Sequence, residues 1–283
     1  MTIFEPQLAD RFTVETISPF GVMVRPRTAG DDLTTVPVDT ARELARQHHL
    51  LVLRNFRPPE SAEDLARYAG SWGELYTWPF GTVLELIEHD QPSDTVFDHT
   101  RLVYHWDGMF VDKIPEFQIF QCVIPPTGGR TIFADTTLIV ANAPAETREL
   151  WEGLELRYGI RKLAHYGGDV VSPLVVPHPG HGTPTMRFHE PVTGDEHYIN
   201  PPDVRFPDHL GAERIAEISD DLRAALYDDR HMYAHEWQQG DIVVSDNYTN
   251  LHGREAYTSR CGRHLRRVHV LGDPPLANPA LPD

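Results

Sequence analysis

The chain is poor in cysteine and in positive charge. Cys122 and Cys261 are the only thiols among 283 residues, which excludes a disulfide framework and a metal site built from cysteine alone, and which suits a reducing compartment. Lys and Arg number 25 against 42 Asp and Glu, a formal net charge of -17. Because such an acidic surface repels phosphate backbones and anionic lipid, we expect neither nucleic acid nor a membrane as a partner.

The sequence also lacks long apolar segments and several catalytic motifs. No uninterrupted apolar run approaches the roughly 18 residues of a membrane span, and the first residues show no basic region followed by an apolar one. We therefore expect a cytoplasmic protein. The absence of a Gly-x-Ser-x-Gly elbow, a Walker loop and a dinucleotide fingerprint argues against a hydrolase, an NTPase and an NAD enzyme. Nothing in the sequence decides between a monomer and a homo-oligomer.

The hydrophobic pattern predicts helices near the start of the chain and mostly strands after them. Apolar residues at helical spacing predict helices that begin at caps near Asp39 and Ser61, and two more after Pro144 and over about 212–227. Apolar and β-branched runs predict strands over 50–53, 83–87, 101–104, 117–124, 131–134, 231–237, 242–245 and 265–270. The proline- and glycine-rich segment 172–184 is expected to be an irregular loop that could serve as a lid.

These elements together predict a mainly β fold with flanking helices. Short strands dominate the last two thirds of the chain, which favours a β-sandwich or barrel. No linker interrupts the pattern, so we expect a single domain over residues 1–283.

His105 and Asp107 form a His-x-Asp pair within an apolar strand. Residues two apart on a strand point to the same side, so the imidazole and the carboxylate can converge while Trp106 faces away. They would be two of the three ligands of a facial two-histidine, one-carboxylate iron site. The best candidate for the third is His252, which follows an apolar strand and precedes Gly253. The pair alone is weak evidence for a metal site, because a chain with 16 histidines is expected to contain such pairs by chance.

Arginines and a glycine-rich segment at suitable spacing strengthen this interpretation. Arg263 lies 11 residues after His252, Arg267 lies 4 further on, and the segment 128–131 starts 21 residues after Asp107. An Fe(II) on three protein ligands keeps open positions that a 2-oxoacid and O2 can share. The distal carboxylate of such a cosubstrate needs a fixed cation with fork geometry, which an arginine provides, and a threonine hydroxyl can complete the clamp.

In order and spacing these motifs resemble the TauD/TfdA family of Fe(II)/2-oxoglutarate oxygenases, over roughly residues 45–272. The motifs that carry the resemblance are His105-x-Asp107, Gly128-Gly129-Arg130-Thr131, Trp237-x-x-Gly240-Asp241, Asp246-Asn247, His252 and Arg263-x-x-x-Arg267. The resemblance implies a double-stranded β-helix (jelly roll) with flanking helices, with Fe(II) as cofactor and 2-oxoglutarate and O2 as cosubstrates. Arg130 departs from the aspartate that family members often carry, but it lies outside the implied ligands.

The resemblance also implies a role for each matching residue. Thr131 and Arg263 would hold the distal carboxylate of 2-oxoglutarate, and Arg267 would contact an acidic group of the substrate. The implied iron ligands and catalytic residues are His105, Asp107 and His252.

Longer strings resemble one branch of the family, the PvcB-like enzymes of isonitrile pathways. They cover residues 48–54, 78–86, 105–109, 115–118, 251–256 and 263–269. The implied substrate is tyrosine isonitrile, 2-isocyano-3-(4-hydroxyphenyl)propanoate. The implied reaction is desaturation: a benzylic hydrogen is removed, and loss of CO2 then gives a vinyl isonitrile, whereas loss of the C2 proton gives an acrylate. Tyr104, Trp78 and Phe80 are candidate wall residues for the ring.

Two other functions stay open at this point. One is a hydroxylase or desaturase that acts on another small amino-acid-like acid at the same iron site. The other is a jelly-roll binding protein that keeps the pocket without turnover. A second group of histidines is expected to be solvated loop residues and not a further metal site: His165, His178, His181, His189 and His197.

Overall fold

The computed structural model describes residues 10–28, 30–163, 166–194 and 197–281. Its helices are α1 Val38–His48, α2 Ala62–Gly70, α3 Thr136–Asn142, α4 Ala145–Glu152 and α5 Ala212–Leu226. Its strands are β1 Phe12–Thr16, β2 Val22–Pro26, β3 Leu50–Leu53, β4 Val83–Ile87, β5 Leu102–His105, β6 Lys113–Ile114, β7 Phe117–Ile124, β8 Thr131–Asp135, β9 Glu155–Leu163, β10 Tyr166–Pro173, β11 Val175–Pro177, β12 Pro184–Met186, β13 Asp203–Arg205, β14 Met232–His235, β15 Ile242–Asp246, β16 Asn250–Arg254, β17 His264–Val270 and β18 Leu276–Ala277.

Seven strands form the larger sheet, in the order β1-β2-β3-β15-β7-β17-β4. Its neighbours pair antiparallel except β2 and β3, which are parallel. Both faces of its centre are covered, so β3 and β15 are buried at every position. Leu51 and Val244 lie on the face that packs against α1 and α2. Val52 and Val243 lie on the opposite face, which packs against the second sheet.

The second sheet has four strands, in the order β14-β8-β16-β5. Phe133 of β8 points toward the larger sheet, where it packs with Phe120 and Cys122 of β7. Its neighbours Ile132 and Ala134 point the other way, into an apolar cluster shared with α3, α4 and α5. Two facing sheets with helices outside them confirm the predicted jelly roll.

The two N-terminal helices begin for different reasons. At α2, Ser61 accepts from the backbone N–H of Asp64, and the Asp64 carboxylate accepts from the Ser61 N–H, which makes the predicted capping box. At α1 the predicted N-cap, Asp39, was wrong by two residues. The residue before the helix is Pro37, and Asp39 lies within its first turn, where a negative charge is favoured by the helix dipole.

Several elements were not predicted. The segment 172–184 is not irregular throughout, because it contains the end of β10, all of β11 and the start of β12, which pairs with β11. Strands β1 and β2, helix α3 and the three-stranded sheet β10-β9-β13 were also missed. Among the described residues, no helix has both the length and the apolar character needed to cross a membrane.

Candidate metal centre and substrate pocket

The three predicted iron ligands lie together at the second sheet, two on its strands and one in the turn after β5. His105 ends β5 and is the direct cross-strand partner of His252 on β16, with ring centroids 4.2 Å apart. The strand predicted over 101–104 ends at His105, so Asp107 lies in the following turn and not on the strand. Gly108 makes that turn with φ 101°, and a Cβ there would lie 3.0 Å from Cδ of Pro115. The turn, more than strand alternation, places the carboxylate.

One ligand atom from each of the three residues lies within 4.8 Å of the other two. Nε2 of His105 is 3.8 Å from Oδ1 of Asp107, and Nε2 of His252 is 3.9 Å from Oδ2. Nδ1 of His105 lies 2.9 Å from the carbonyl oxygen of Val103 and must donate to it, which leaves the Nε2 lone pair facing Asp107. Two neutral imidazoles and one carboxylate are a donor set that fits Fe(II).

Asp107 is held by three donors on one oxygen. Its Oδ2 accepts from Nε2 of Gln118 at 2.6 Å, from Nε2 of His269 at 2.9 Å and from the Arg267 guanidinium at 2.6 Å. Gln118 and His269 face each other across β7 and β17. With Oδ2 engaged in this way, Oδ1 is the oxygen directed toward His105.

A further contact decides the tautomer of His269. The indole Nε1 of Trp78 lies 2.9 Å from Nδ1 of His269. An indole N–H can only donate, so Nδ1 accepts and Nε2 carries the proton that His269 gives to Asp107. Trp78, His269 and Asp107 therefore form one directed chain of hydrogen bonds.

Burial and neighbouring charge set the protonation states that metal binding requires. Burial lowers the pKa of His105, outweighing the opposite effect of Asp107, and burial with the nearby His105 lowers the pKa of His252 well below its usual value. Burial alone would raise the pKa of Asp107, but the charge of Arg267 and the hydrogen bond from His269 hold it well below the usual range. The ligands are thus neutral, neutral and ionised near pH 7.

Arg263 is a buried cation that lacks a carboxylate partner among the described residues. Its side chain donates to the Leu86 carbonyl oxygen at 3.1 Å and lies over the Tyr257 ring, while its Nε has no hydrogen-bond partner. Burial, with the like charge of Arg254, lowers the pKa of Arg263 to about 9. A buried guanidinium without an anion is costly, so an anionic ligand fits here.

Thr131 is buried at the start of β8, directly opposite Arg254 on β16. Its hydroxyl oxygen accepts a 2.9 Å hydrogen bond from the indole of Trp237. The hydroxyl proton is not used in that bond, so it can be donated to a carboxylate.

A pocket opens beside the iron-ligand candidates. Its walls include the predicted residues Trp78 and Phe80, together with Arg267, which was predicted to meet the substrate. The full lining is Trp78, Phe80, Leu84, Asp94, Val96, Phe97, Leu102, His105, Asp107, Ile160, His189, Tyr198, Asn200, Pro202 and Arg267.

The prediction that Tyr104 contacts substrate was wrong. Its side chain is fully buried in the apolar cluster behind the second sheet, with its ring 5.1 Å from that of Tyr227. The reason is strand alternation: His105 faces the pocket, so the residue before it must face away.

Sequence reasoning missed three polar residues around the site: Gln118, His269 and His189. A signal existed for Gln118, because a glutamine inside an apolar strand is costly to bury unless it has a partner. His269 lies on the same strand as Arg267, two residues on, and so points to the same side.

The second histidine group is only partly as predicted. His181 and His197 are exposed, but His178 and His189 are buried, and the expectation that these two are solvated was wrong. The ring of His178 stacks on that of His181 at 3.8 Å. His189 lines the pocket, with its ring 5.6 Å from that of His105. His165 lies outside the described residues.

Comparison with known proteins gives one family and a consistent set of relatives. Residues 16–269 match the model of the family described as "Taurine catabolism dioxygenase TauD, TfdA family". The chain is 42% identical over 266 residues to a tyrosine isonitrile desaturase of Pseudomonas aeruginosa, covering 93% of this chain and 91% of that protein. It is 38% identical over 264 residues to a 3-((Z)-2-isocyanoethenyl)-1H-indole synthase of Fischerella ambigua, covering 92% and 96%.

A solved structure agrees with the sequence relatives. The chain superposes with a TM-score of 0.79 and 37% identity on PvcB, described as an Fe, alpha-ketoglutarate dependent oxygenase from an isonitrile synthetic pathway. The match covers 96% of both chains.

Proposed function

This chain belongs to the TauD, TfdA family of dioxygenases and is an Fe(II)- and 2-oxoglutarate-dependent oxygenase, and from that premise we propose that it desaturates tyrosine isonitrile. We propose His105, Asp107 and His252 as the iron ligands. The observation that carries the assignment is the convergence of these three donors within 4.8 Å beside an aromatic-walled pocket.

When bound, Fe(II) activates O2 for the oxidative decarboxylation of 2-oxoglutarate and supplies the oxidant for the substrate. In the overall reaction one oxygen atom of O2 enters succinate and the other leaves as water. When the carboxylate is retained, that water takes two hydrogens from C2 and C3 of the substrate. When the carboxylate is lost, the water takes one hydrogen atom from C3, one electron released with CO2 and one proton from solvent. The substrate gains a C2–C3 double bond. Retention of the carboxylate gives an isocyano acrylate, and its loss as CO2 gives a vinyl isonitrile.

The protein's own residues bind and orient. Arg263 and the Thr131 hydroxyl would bind the distal carboxylate of 2-oxoglutarate, because a buried cation without an anion is available there. Arg267 would bind the substrate carboxylate beside the iron, and Trp78 with Phe80 would pack against the ring. Apolar walls around the ring exclude water from the benzylic carbon.

The substrate is supported by relatives of two kinds. The proteins from Pseudomonas aeruginosa and Erwinia amylovora are tyrosine isonitrile desaturases, each 42% identical to this chain over more than nine tenths of it. The Fischerella ambigua protein makes an indole that carries an isocyanoethenyl group. We also propose that the enzyme acts in the cytoplasm, since its two unpaired cysteines suit a reducing compartment. We further propose one domain over residues 1–283, since no linker pattern interrupts the sequence.

The proposal is tested by binding and by product analysis. Fe(II) with 2-oxoglutarate under anaerobic conditions should give a weak visible charge-transfer band, and admission of O2 with synthetic tyrosine isonitrile should give succinate and a desaturated product by mass spectrometry. His252→Ala should lose the band, whereas His181→Ala, which changes an exposed histidine outside the pocket, should keep it. Succinate release with unchanged substrate would contradict the assignment of substrate, and a band that survives His252→Ala would contradict the assignment of ligands.

A further inference from the structure

One acidic side chain, that of Asp94, lines the pocket away from the iron ligands. Most of the lining is apolar or aromatic, and among the described residues Asp94 is its only carboxylate apart from Asp107. In the part of the chain that the structure describes, Asp94 has no ion pair, and its side-chain hydrogen bond, from the Val96 N–H, uses only Oδ1. Asp94 is half-buried in the open pocket, and an aromatic ring bound there would remove water from its free oxygen, which is unfavourable unless a donor reaches that oxygen.

The position of Asp94 is fixed by the backbone around it. Its Oδ1 accepts the Val96 N–H at 3.1 Å and caps the 3-10 turn Thr95–Phe97. The Thr95 hydroxyl is bonded to both the N–H and the carbonyl oxygen of Ile199, each at 2.8 Å. These contacts join the turn to the segment that carries Tyr198, another lining residue.

A buried arginine holds the same turn from the sheet side. Arg254 donates to four backbone carbonyl oxygens between 2.7 and 3.1 Å, those of Thr95, Val96, Asp98 and Thr100. Arg254 lies two residues after His252 on β16. The turn that presents Asp94 is therefore tied to the strand that presents a proposed iron ligand, which fixes the carboxylate before substrate arrives.

Three other polar lining residues, His189, Arg267 and Asn200, are less suited to a phenol. His189 lies next to His105, too near the iron for the distal end of a substrate whose benzylic carbon must sit there. Arg267 is positively charged and contacts Asp107, so it suits the carboxylate of the substrate better than the phenol. The Asn200 amide donates to the Arg161 carbonyl oxygen. Asp94 offers a charged acceptor, and it would repel a substrate carboxylate.

We propose that Asp94 accepts a hydrogen bond from the para-hydroxyl of the substrate ring and thereby selects hydroxylated over unsubstituted aromatic isonitriles. This inference rests on the proposed function. A phenol that donates to a carboxylate forms a charge-assisted bond, stronger than a bond to a neutral acceptor. The same carboxylate sets the direction of binding, because the acidic end of the substrate is driven toward Arg267.

The test compares two substrates that differ by one hydroxyl: tyrosine isonitrile and 2-isocyano-3-phenylpropanoate. Asp94→Asn keeps an oxygen that can cap the turn but removes the charge. The parent should prefer the phenol in kcat/KM, and Asp94→Asn should reduce that preference about 10- to 100-fold, the range for a hydrogen bond to a charged group. The fall in kcat/KM should be confined to tyrosine isonitrile, the substrate that carries the phenol. Anaerobic titration of each substrate into the protein with Fe(II) and 2-oxoglutarate should show the same change in affinity without turnover.

Two variants separate this role from general effects. Asp90→Asn removes an exposed acid from the same loop, outside the pocket, and should keep the parent's preference. Tyr198→Phe removes the neighbouring hydroxyl and should also keep it. Equal losses for both substrates in Asp94→Asn, no loss for either, or a collapse of the preference in Tyr198→Phe alone would each overturn the assignment to Asp94. If the parent desaturates neither substrate, it is the proposed function that fails.

Discussion

The indole N–H of Trp78 donates to Nδ1 of His269 at 2.9 Å. Because of this bond, His269 presents Nε2–H to Oδ2 of Asp107, the oxygen that Gln118 and Arg267 also contact. A wall residue of the pocket is thus connected to the carboxylate proposed to bind iron. Partners of this kind fix the orientation of a metal ligand and strengthen metal binding.

Trp78→Phe should weaken iron binding, although Trp78 is not a ligand. The variant keeps an aromatic wall but removes the hydrogen-bond donor that fixes the tautomer of His269. We expect the Kd for Fe(II) to rise about 10-fold, which is typical when a residue that supports a metal ligand is replaced. Anaerobic titration with Fe(II) measures it. Phe80→Leu changes the adjacent wall residue, whose ring stacks on Trp78, and should leave the Kd within about two-fold. An unchanged Kd in Trp78→Phe would argue against the connection.

Arg263→Gln should weaken the binding of 2-oxoglutarate. Loss of a charge-assisted contact to the distal carboxylate is expected to raise its Kd about 10- to 100-fold. The intensity of the charge-transfer band against 2-oxoglutarate concentration measures that Kd at fixed Fe(II). Arg266→Gln is the matched control, since Arg266 is paired with Glu85 on the neighbouring strand. If the two variants bind 2-oxoglutarate alike, Arg263 does not hold the cosubstrate.

The sequence predicted the part of the site that depends on short-range spacing. His105 and Asp107 are two residues apart, so they lie near each other whatever the local structure, although the turn at Gly108, and not the predicted strand alternation, directs the Asp107 carboxylate. His252 was chosen because it follows an apolar strand and precedes Gly253, and its order and spacing with Arg263 then matched a family. His252 lies 147 residues after His105, and a contact over such a separation leaves no periodic signal. The prediction for Tyr104 was wrong because adjacent residues on a strand point to opposite sides, and His105 faces the pocket.

Other parts of the fold follow from tertiary contacts that a local pattern does not contain. Strand β9 and the start of β10 hold charged and glycine residues, and they are strands because they pair with each other and with β13. The sequence shows that Gln118 and His269 are polar residues within strands, but not that their partner is Asp107, which the turn after β5 brings against them. Tertiary pairing overrides local propensity in both cases.

Arg267→Gln should reduce the enzyme's preference for a free carboxylate. The guanidinium lines the pocket, and its NH1 contacts Asp107 at 2.6 Å. We expect kcat/KM for tyrosine isonitrile to fall about 10- to 100-fold, and that for its methyl ester to fall much less. The Kd for Fe(II) is measured in parallel, because the variant also removes a partner of Asp107. Equal losses for acid and ester, at unchanged iron affinity, would contradict a contact with the substrate carboxylate.

The His49–Asp135 pair should make stability depend on pH in a defined direction. Nδ1 of His49 lies 2.7 Å from Oδ2 of the buried Asp135. Burial alone would lower the pKa of His49, but the hydrogen bond and charge of Asp135 outweigh it and raise that pKa above its usual 6.5. The stabilisation is therefore fully present below about pH 6.5, and it is lost as pH rises through the folded-state pKa.

His49→Asn isolates this contribution, because His49 has φ 62° and asparagine tolerates the left-handed region. We expect the variant to lose about 1.5–3 kcal/mol of unfolding free energy at pH 6, and distinctly less at a pH above the raised pKa of His49, where the parent no longer carries the charge. Urea unfolding at the two pH values measures the difference. His209→Asn, a change at an exposed histidine, should leave both values unchanged. Because the pair joins the end of α1 to the end of β8, a loss that did not depend on pH would mean that packing at this junction, and not the ion pair, stabilises it.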